Sequence, residues 1–269
     1  MHEIGAGQST ELLKELHILT RDGRMNQDSR RKLKQVNHLS RFIEPLLADI
    51  RADHADIRLV DHGAGKSYLG FILYDAFFKN AGGHIYGIET RAELVDKSRQ
   101  LAARLGFAGM SFLNLSVEQS IVSDRLPARV DMVTALHACD TATDDAIRFA
   151  LAKQAPVIVL VPCCQAEVAA VLRKNKGRSL ANPLAEIWRH PLHTREFGSH
   201  VTNVLRCLQL EAHGYQVNVT ELVGWEHSLK NELIVARYRD LPRRNPAERL
   251  HGLLAMLGLE ELSGRFFTD

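Results

Sequence analysis

Apolar residues near the start of the chain recur at helical spacing, with Leu33, Val36, Leu39, Phe42, Ile43, Leu46 and Leu47 on one stripe. This predicts helices over residues 8–20 and roughly 30–51, an N-terminal helical cap. From residue 57 the pattern changes to short, continuous apolar runs rich in β-branched residues, at 57–61, 84–89, 110–115, 130–136 and 156–162. Helical stretches near 67–80, 91–105, 142–153 and 165–175 separate them. Five strands alternating with helices predict right-handed crossovers and a parallel sheet.

The rhythm breaks near the end of the chain. After a helix at about 199–213, closed by Gly214, two strand-like runs follow at 215–223 and 231–239. The seven residues between them are too few for a parallel crossover, so the pair is expected to be antiparallel. The predicted fold is α/β and Rossmann-like, a seven-stranded mostly parallel sheet with one antiparallel strand and an N-terminal helical cap. The expected divisions are a helical extension over 1–52, a sheet domain over 53–240 and a helical appendage over 241–269.

The first strand runs into DHGAGKSYLG at 61–70, and a predicted helix follows. A strand, a glycine turn and a helix in that order bring backbone N–H groups close to a ligand, because residues without a Cβ permit a tight turn and a close approach. Glu89 ends the second strand, where an acid accepts hydrogen bonds from two ribose hydroxyls. A P-loop would need a glycine at position 60, which is Val60. A dinucleotide fingerprint would need one at position 68, where Tyr68 stands. What remains, Asp61, Gly63, Gly65 and Glu89, suits a ligand with a ribose and no phosphate. That favours S-adenosylmethionine over NAD or ATP.

Composition adds limits. With 45% apolar and 25% charged residues, the chain reads as an ordinary globular protein. It has no run of eighteen apolar residues and no signal-like N-terminus, so a cytoplasmic protein without a membrane span is expected. Cys139, Cys163, Cys164 and Cys207 show no CxxC spacing, which argues against a disulfide framework or a zinc site. Net charge is +2, but residues 21–41 carry Arg21, Arg24, Arg30, Arg31, Lys32, Lys34 and Arg41 against Asp22 and Asp28. Such a run is either a solvated helix face or a surface that tracks RNA phosphates. Residues 176–198 form a long connection with Arg178, Trp188, Arg189, His190, His193 and Arg195. It reads either as a nucleotide clamp or as a lid anchored by Trp188.

The remaining strand ends supply candidate chemistry. Backbone groups at Ser116 and Val117, with the Glu118 side chain, are placed to hold an adenine ring, although Glu118 equally suits a surface residue that starts a helix. LHACDTATDD at 136–145 and VPCCQ at 161–165 put polar residues on the rim. His137 and Asp140 are candidates to position or deprotonate a methyl acceptor, although Asp140 or Thr141 equally suits a helix cap. No Asn/Asp-Pro-Pro-Tyr element, the cradle of exocyclic adenine N-methylation, follows the fourth strand. A covalent pyrimidine mechanism would need a thiolate from Cys139, Cys163 or Cys164.

KQVNH (34–38), DHGAGKSYLG, LHACDTATDDAI, VPCCQ, GY (214–215) and EHSLKNELI (226–234) together resemble one branch of the class I S-adenosylmethionine-dependent methyltransferases. That branch holds methyltransferase-like and "ribosomal RNA adenine dimethylase domain-containing" proteins with their bacterial relatives. The resemblance implies cofactor-site roles for Asp61, Gly63, Gly65, Glu89 and His137, with Asn37 and His38 folded over the same cleft. The expected activity is methyl transfer from S-adenosylmethionine, to RNA before a small molecule or protein. The alternative of another class is a catalytically silent scaffold that binds cofactor or RNA.

Overall fold

The computed structural model describes residues 9–163, 165–175, 183–222, 232–240 and 245–268, without the side chains of Lys32, His137 and Cys139. Among the described residues seven strands form one sheet: β1 (Arg58–His62), β2 (His84–Glu89), β3 (Met110–Asn114), β4 (Met132–Cys139), β5 (Val157–Cys163), β6 (Tyr215–Glu221) and β7 (Glu232–Tyr238). Their order is β3-β2-β1-β4-β5-β7-β6. The first five are mutually parallel, and β7 runs antiparallel to both β5 and β6. The reversal that the short connection before 231–239 predicts is present.

Helices cover both faces of the sheet. They are α1 (Thr10–Glu15), α2 (Gln27–Asp53), α3 (Tyr68–Leu73), α4 (Ala92–Leu105), α5 (Val117–Val122), α6 (Ala142–Ala152), α7 (Glu167–Lys174), α8 (Pro191–Ala212) and α9 (Pro246–Leu257). Asn26 caps α2 by accepting from the Ser29 N–H at 2.8 Å, and the Leu33–Val36–Leu39–Ile43–Leu47 stripe is buried. That stripe and α1 share one apolar cluster with Leu59, Ile85, Met132 and Val159, so the N-terminal cap belongs to the main core. The other face packs α5 and α6 on Val60, Ile88, Val133 and Ile158. Helices α7, α8 and α9 make a third cluster around Trp188 and Phe266.

Three local features depart from the pattern. The helix read over 67–80 is α3 followed by a single π turn, Tyr74–Phe78. The Phe77 carbonyl there accepts from the Arg51 guanidinium of α2 at 3.0 Å, one of the irregular contacts such turns permit. Helix α8 begins at Pro191 rather than near 199, because proline suits a first helical turn. The long connection is thereby shortened, and its described part before α8 holds the 3₁₀ turn Pro183–Trp188. Gly198 lets α8 approach α7, since a Cβ there would lie 2.8 Å from the backbone nitrogen of Ala169.

Candidate functional site

Parallel sheets bind ligands beyond the carboxyl ends of their strands, where the strand order changes direction. Here that point lies between β1 and β4. The chain leaves β1 through Gly63 and Gly65, both with positive φ (67° and 58°). Side chains with a Cβ rarely adopt such φ values, so glycine is what permits the turn; the space at Gly63 is not the constraint, since a Cβ there would make only an ordinary 3.5 Å contact with Ala138. The turn is pinned to β2, because the Ala64 N–H donates to the Ile88 carbonyl at 2.9 Å.

Glu89 is the centre of this turn. Its Oε2 accepts from the Gly65 N–H at 2.8 Å, and Oε1 accepts from the Arg91 N–H at 3.1 Å. The Arg91 guanidinium adds Nε to Oε1 at 3.0 Å and Nη2 to Oε2 at 3.2 Å. Burial would raise the Glu89 pKa, but the Arg91 side chain and the two N–H donors outweigh it and hold it below the ordinary carboxylate value. Arg91 carried no signal in the sequence, since an exposed cation near a helix start is ordinary.

Asp61 lies beneath the turn, not on its surface. It is 2% exposed and accepts from the Thr134 hydroxyl at 3.0 Å and the Ser67 hydroxyl at 3.5 Å. Desolvation, partly offset by those hydroxyls and the Gly70 N–H, pushes its pKa up to about 7. It supports the turn from below. His62 points to the opposite face of the sheet against Phe149, and burial pushes its pKa down to about 4 against the opposing charge of Glu89.

At the end of β3, Ser116 caps α5 through a reciprocal box with Gln119. The box uses both the Ser116 N–H and its hydroxyl, which corrects the expectation that its backbone meets an adenine ring. The Val117 side chain is buried in the core, and Glu118 faces outward to Arg148 at 3.3 Å. Asn37 and His38 are half-buried on α2. His38 lies edge-on to Phe42, and burial, with Arg41 and Lys34 nearby, lowers its pKa.

At the rim, the His137 backbone sits where the β4–β5 register slips. Cys164, Arg178 and the 226–231 part of EHSLKNELI lie outside the described residues. Asp140 adopts a left-handed backbone (φ 51°), and its Oδ1 accepts from the Ala166 and Glu167 N–H groups at 3.0 and 3.4 Å. It therefore caps α7, not the helix that follows it in the chain. The two N–H bonds fix the Asp140 carboxylate at the rim.

A buried network that the sequence did not reveal holds this rim. Arg206 on α8 donates from Nε and Nη2 to the two Asp144 oxygens at 2.7 and 2.8 Å, and from Nη2 to the Asp140 carbonyl at 2.9 Å. Asn203 accepts from Arg206 and from Gln165, and donates to Glu232 at 2.6 Å. The ends of β4 and β5 and the start of β7 are thus tied to one helix. Trp188 is buried and stacked on Phe197 at 5.1 Å, so it anchors the segment and is not free to clamp a base. Arg189 and Arg195 pair with Glu186 and Glu196.

The residues present fit a nucleoside cofactor without a phosphate. The Gly65 N–H, which a phosphate cradle would keep for its ligand, is directed at a carboxylate, and that carboxylate would repel a phosphate. A groove of about 600 Å³ between Arg99 and Arg125 runs along the outer strand β3, away from this turn.

The strand order is that of the class I S-adenosylmethionine-dependent methyltransferase fold. The family model described as a methyltransferase domain matches residues 31–171, and the chain belongs to that family. The structure is similar to magnesium protoporphyrin IX methyltransferase from Synechocystis PCC 6803 with bound SAH (TM-score 0.50, 16% identity, 86% of this chain and 95% of that one). It also matches the SAH-bound Podospora anserina methyltransferase PaMTH1 (TM-score 0.48, 11% identity, 87% and 89% covered). A third match is the Methanococcus jannaschii fibrillarin pre-rRNA processing protein (TM-score 0.41, 13% identity, 68% and 67% covered). No curated protein sequence matches the chain. Among the described residues no helix is long and apolar enough to cross a membrane.

Proposed function

We propose that this methyltransferase acts on RNA, with the glycine turn and Glu89 as its cofactor site. The observation that supports the acceptor is the polar face of α2. Arg30, Lys34, His38 and Arg41 recur at helical spacing on one side of it, and the three cations are exposed. The carboxyl end of α2 is fastened at the amino edge of the sheet, where His54 meets Asp131 at 3.1 Å beside the start of β1. Residues 30–41 lie about 20–36 Å back along the helix from that anchor. An exposed basic stripe along one helix face suits a polyanionic acceptor.

In this reading Gly63 and Gly65 admit the cofactor, Glu89 accepts from its ribose hydroxyls, and the start of α5 at Val117 borders its base. Asn37 and His38 close over it from α2. When bound, S-adenosylmethionine supplies an electrophilic methyl carbon on a sulfonium. His137 and Asp140 belong to the rim that orients the acceptor, and alignment of a nucleophile supplies much of the rate. The rim would hold the acceptor toward that methyl carbon, and any proton the acceptor loses would pass to the rim or to water.

Calorimetric titration with S-adenosylmethionine and S-adenosylhomocysteine, with ATP and NAD as controls, tests the cofactor site. Glu89→Ala is expected to weaken cofactor binding about 10- to 150-fold, equivalent to about 1.5–3 kcal/mol for hydrogen bonds to a charged group. Unchanged affinity in the folded variant would remove Glu89 from the site. For the acceptor, tritium transfer into fractionated RNA is expected to exceed transfer into protein or metabolite pools. Lys34→Glu with Arg41→Glu should weaken RNA binding and lower the magnitude of its log–log salt slope by about 0.7 for each phosphate no longer neutralised. An unaltered slope would assign the stripe to solvent, and transfer confined to metabolites would make the acceptor a small molecule.

A further inference from the structure

We infer that Arg91 sets the affinity of the cofactor site by competing with the ribose for Glu89. The inference rests on Glu89 being the ribose acceptor. A carboxylate has about four lone-pair sites. Five donors already lie within hydrogen-bond distance of Glu89: the N–H groups of Gly65 and Arg91, the Thr90 hydroxyl at 3.3 Å, and Nε and Nη2 of Arg91. Two ribose hydroxyls therefore cannot be added unless existing donors leave.

The donors differ in how easily they move. The Gly65 and Arg91 N–H groups are fixed by the turn and by the start of α4. The Arg91 guanidinium is held by Glu89, and the Arg91 side chain is 60% exposed against 8% for Glu89. It can swing into water while the carboxylate stays. The guanidinium also overlies the turn, with Nη2 3.8 Å from the place a Cβ on Gly65 would take. It thus occupies the approach to the glycine that must admit the ligand. In the free protein the fork satisfies an acid that would otherwise be buried with fewer partners, and loading exchanges that fork for ribose hydroxyls.

Because the guanidinium lies in water while the backbone N–H groups stay on Glu89, the cost of releasing it is small and the effect on affinity is bounded. Removing the side chain in Arg91→Ala is expected to tighten S-adenosylmethionine and S-adenosylhomocysteine binding about 2- to 5-fold. The measurement is calorimetric titration of the full chain as wild type, Arg91→Ala, Glu89→Gln and the double variant, with circular dichroism to confirm folding. The gain from Arg91→Ala should narrow as salt rises, because salt screens the pair in the wild type. It should vanish in the Glu89→Gln background. Unchanged or weaker binding by folded Arg91→Ala overturns the inference and makes Arg91 a support for Glu89. A gain that persists without Glu89 also overturns it. Failure of the underlying reading looks different: Glu89→Gln would then bind as tightly as the wild type, or the wild type would not bind at all.

Discussion

Arg206→Met is expected to lower the stability of the protein by about 3–5 kcal/mol, the cost of removing one partner from a buried ion pair. Arg206 is fully buried, and its fork meets both oxygens of Asp144, whose side chain is 5% exposed. Removing the guanidinium leaves a carboxylate without its counter-charge and strips a donor from the Asp140 carbonyl and from Asn203. Desolvation dominates over the packing change, because Met fills much of the same volume. Denaturant unfolding should show a lower midpoint at similar m-value, and the melting temperature should drop by roughly 10 °C. Arg206→Met combined with Asp144→Leu should recover a large part of the deficit, since a buried pair replaced as a unit by apolar residues is often neutral. A single-variant effect below about 1 kcal/mol would show that water reaches the pair. The pair also holds the β4–α6 turn, so the single variant should blunt methyl transfer even at temperatures where it is folded.

The strand order is readable in the sequence because each of its causes is local. Continuous apolar runs such as VIVLV mark strands covered on both faces, and the connection before 231–239 is too short to cross over. Gly63 and Gly65 are readable for the same reason, since a tight turn between a strand and a helix leaves few residue choices. Arg206 and Asp144 are not, because residues sixty-two positions apart leave no shared period in the sequence. The role of Trp188 is equally hidden. An aromatic among cations fits a clamp or an anchor until Phe197 and the α7–α8 packing decide for the anchor. Ser116 misleads because capping box and ligand contact need the same backbone N–H. Helix α5 escapes the pattern because its six residues are too few to show a period.

Asp61 makes a second large effect, visible as pH dependence. Its folded pKa is pushed up to about 7, chiefly by desolvation, with the Thr134 and Ser67 hydroxyls and the Gly70 N–H opposing. In the unfolded chain an aspartate titrates near 3.9. Between those values the folded protein keeps a proton that the unfolded chain has released, so the folded state binds more protons and stability falls as pH rises. The contribution is fully present below about pH 4 and lost as pH climbs through about 7, at about 1.4 kcal/mol per unit and roughly 4 kcal/mol in all. Other groups titrate in the same window, so the informative quantity is a difference. Asp61→Asn keeps the shape of the protonated carboxyl without its titration, and its stability relative to the wild type should grow across pH 4–7 and then level off. Denaturant unfolding of both proteins at unit pH steps measures this. A difference that stays flat would mean that Asp61 is ionised throughout and that its hydroxyl partners outweigh burial. The rising curve would locate a neutral acid under the glycine turn, and it would keep the negative charge at this strand edge on Glu89 alone of the two.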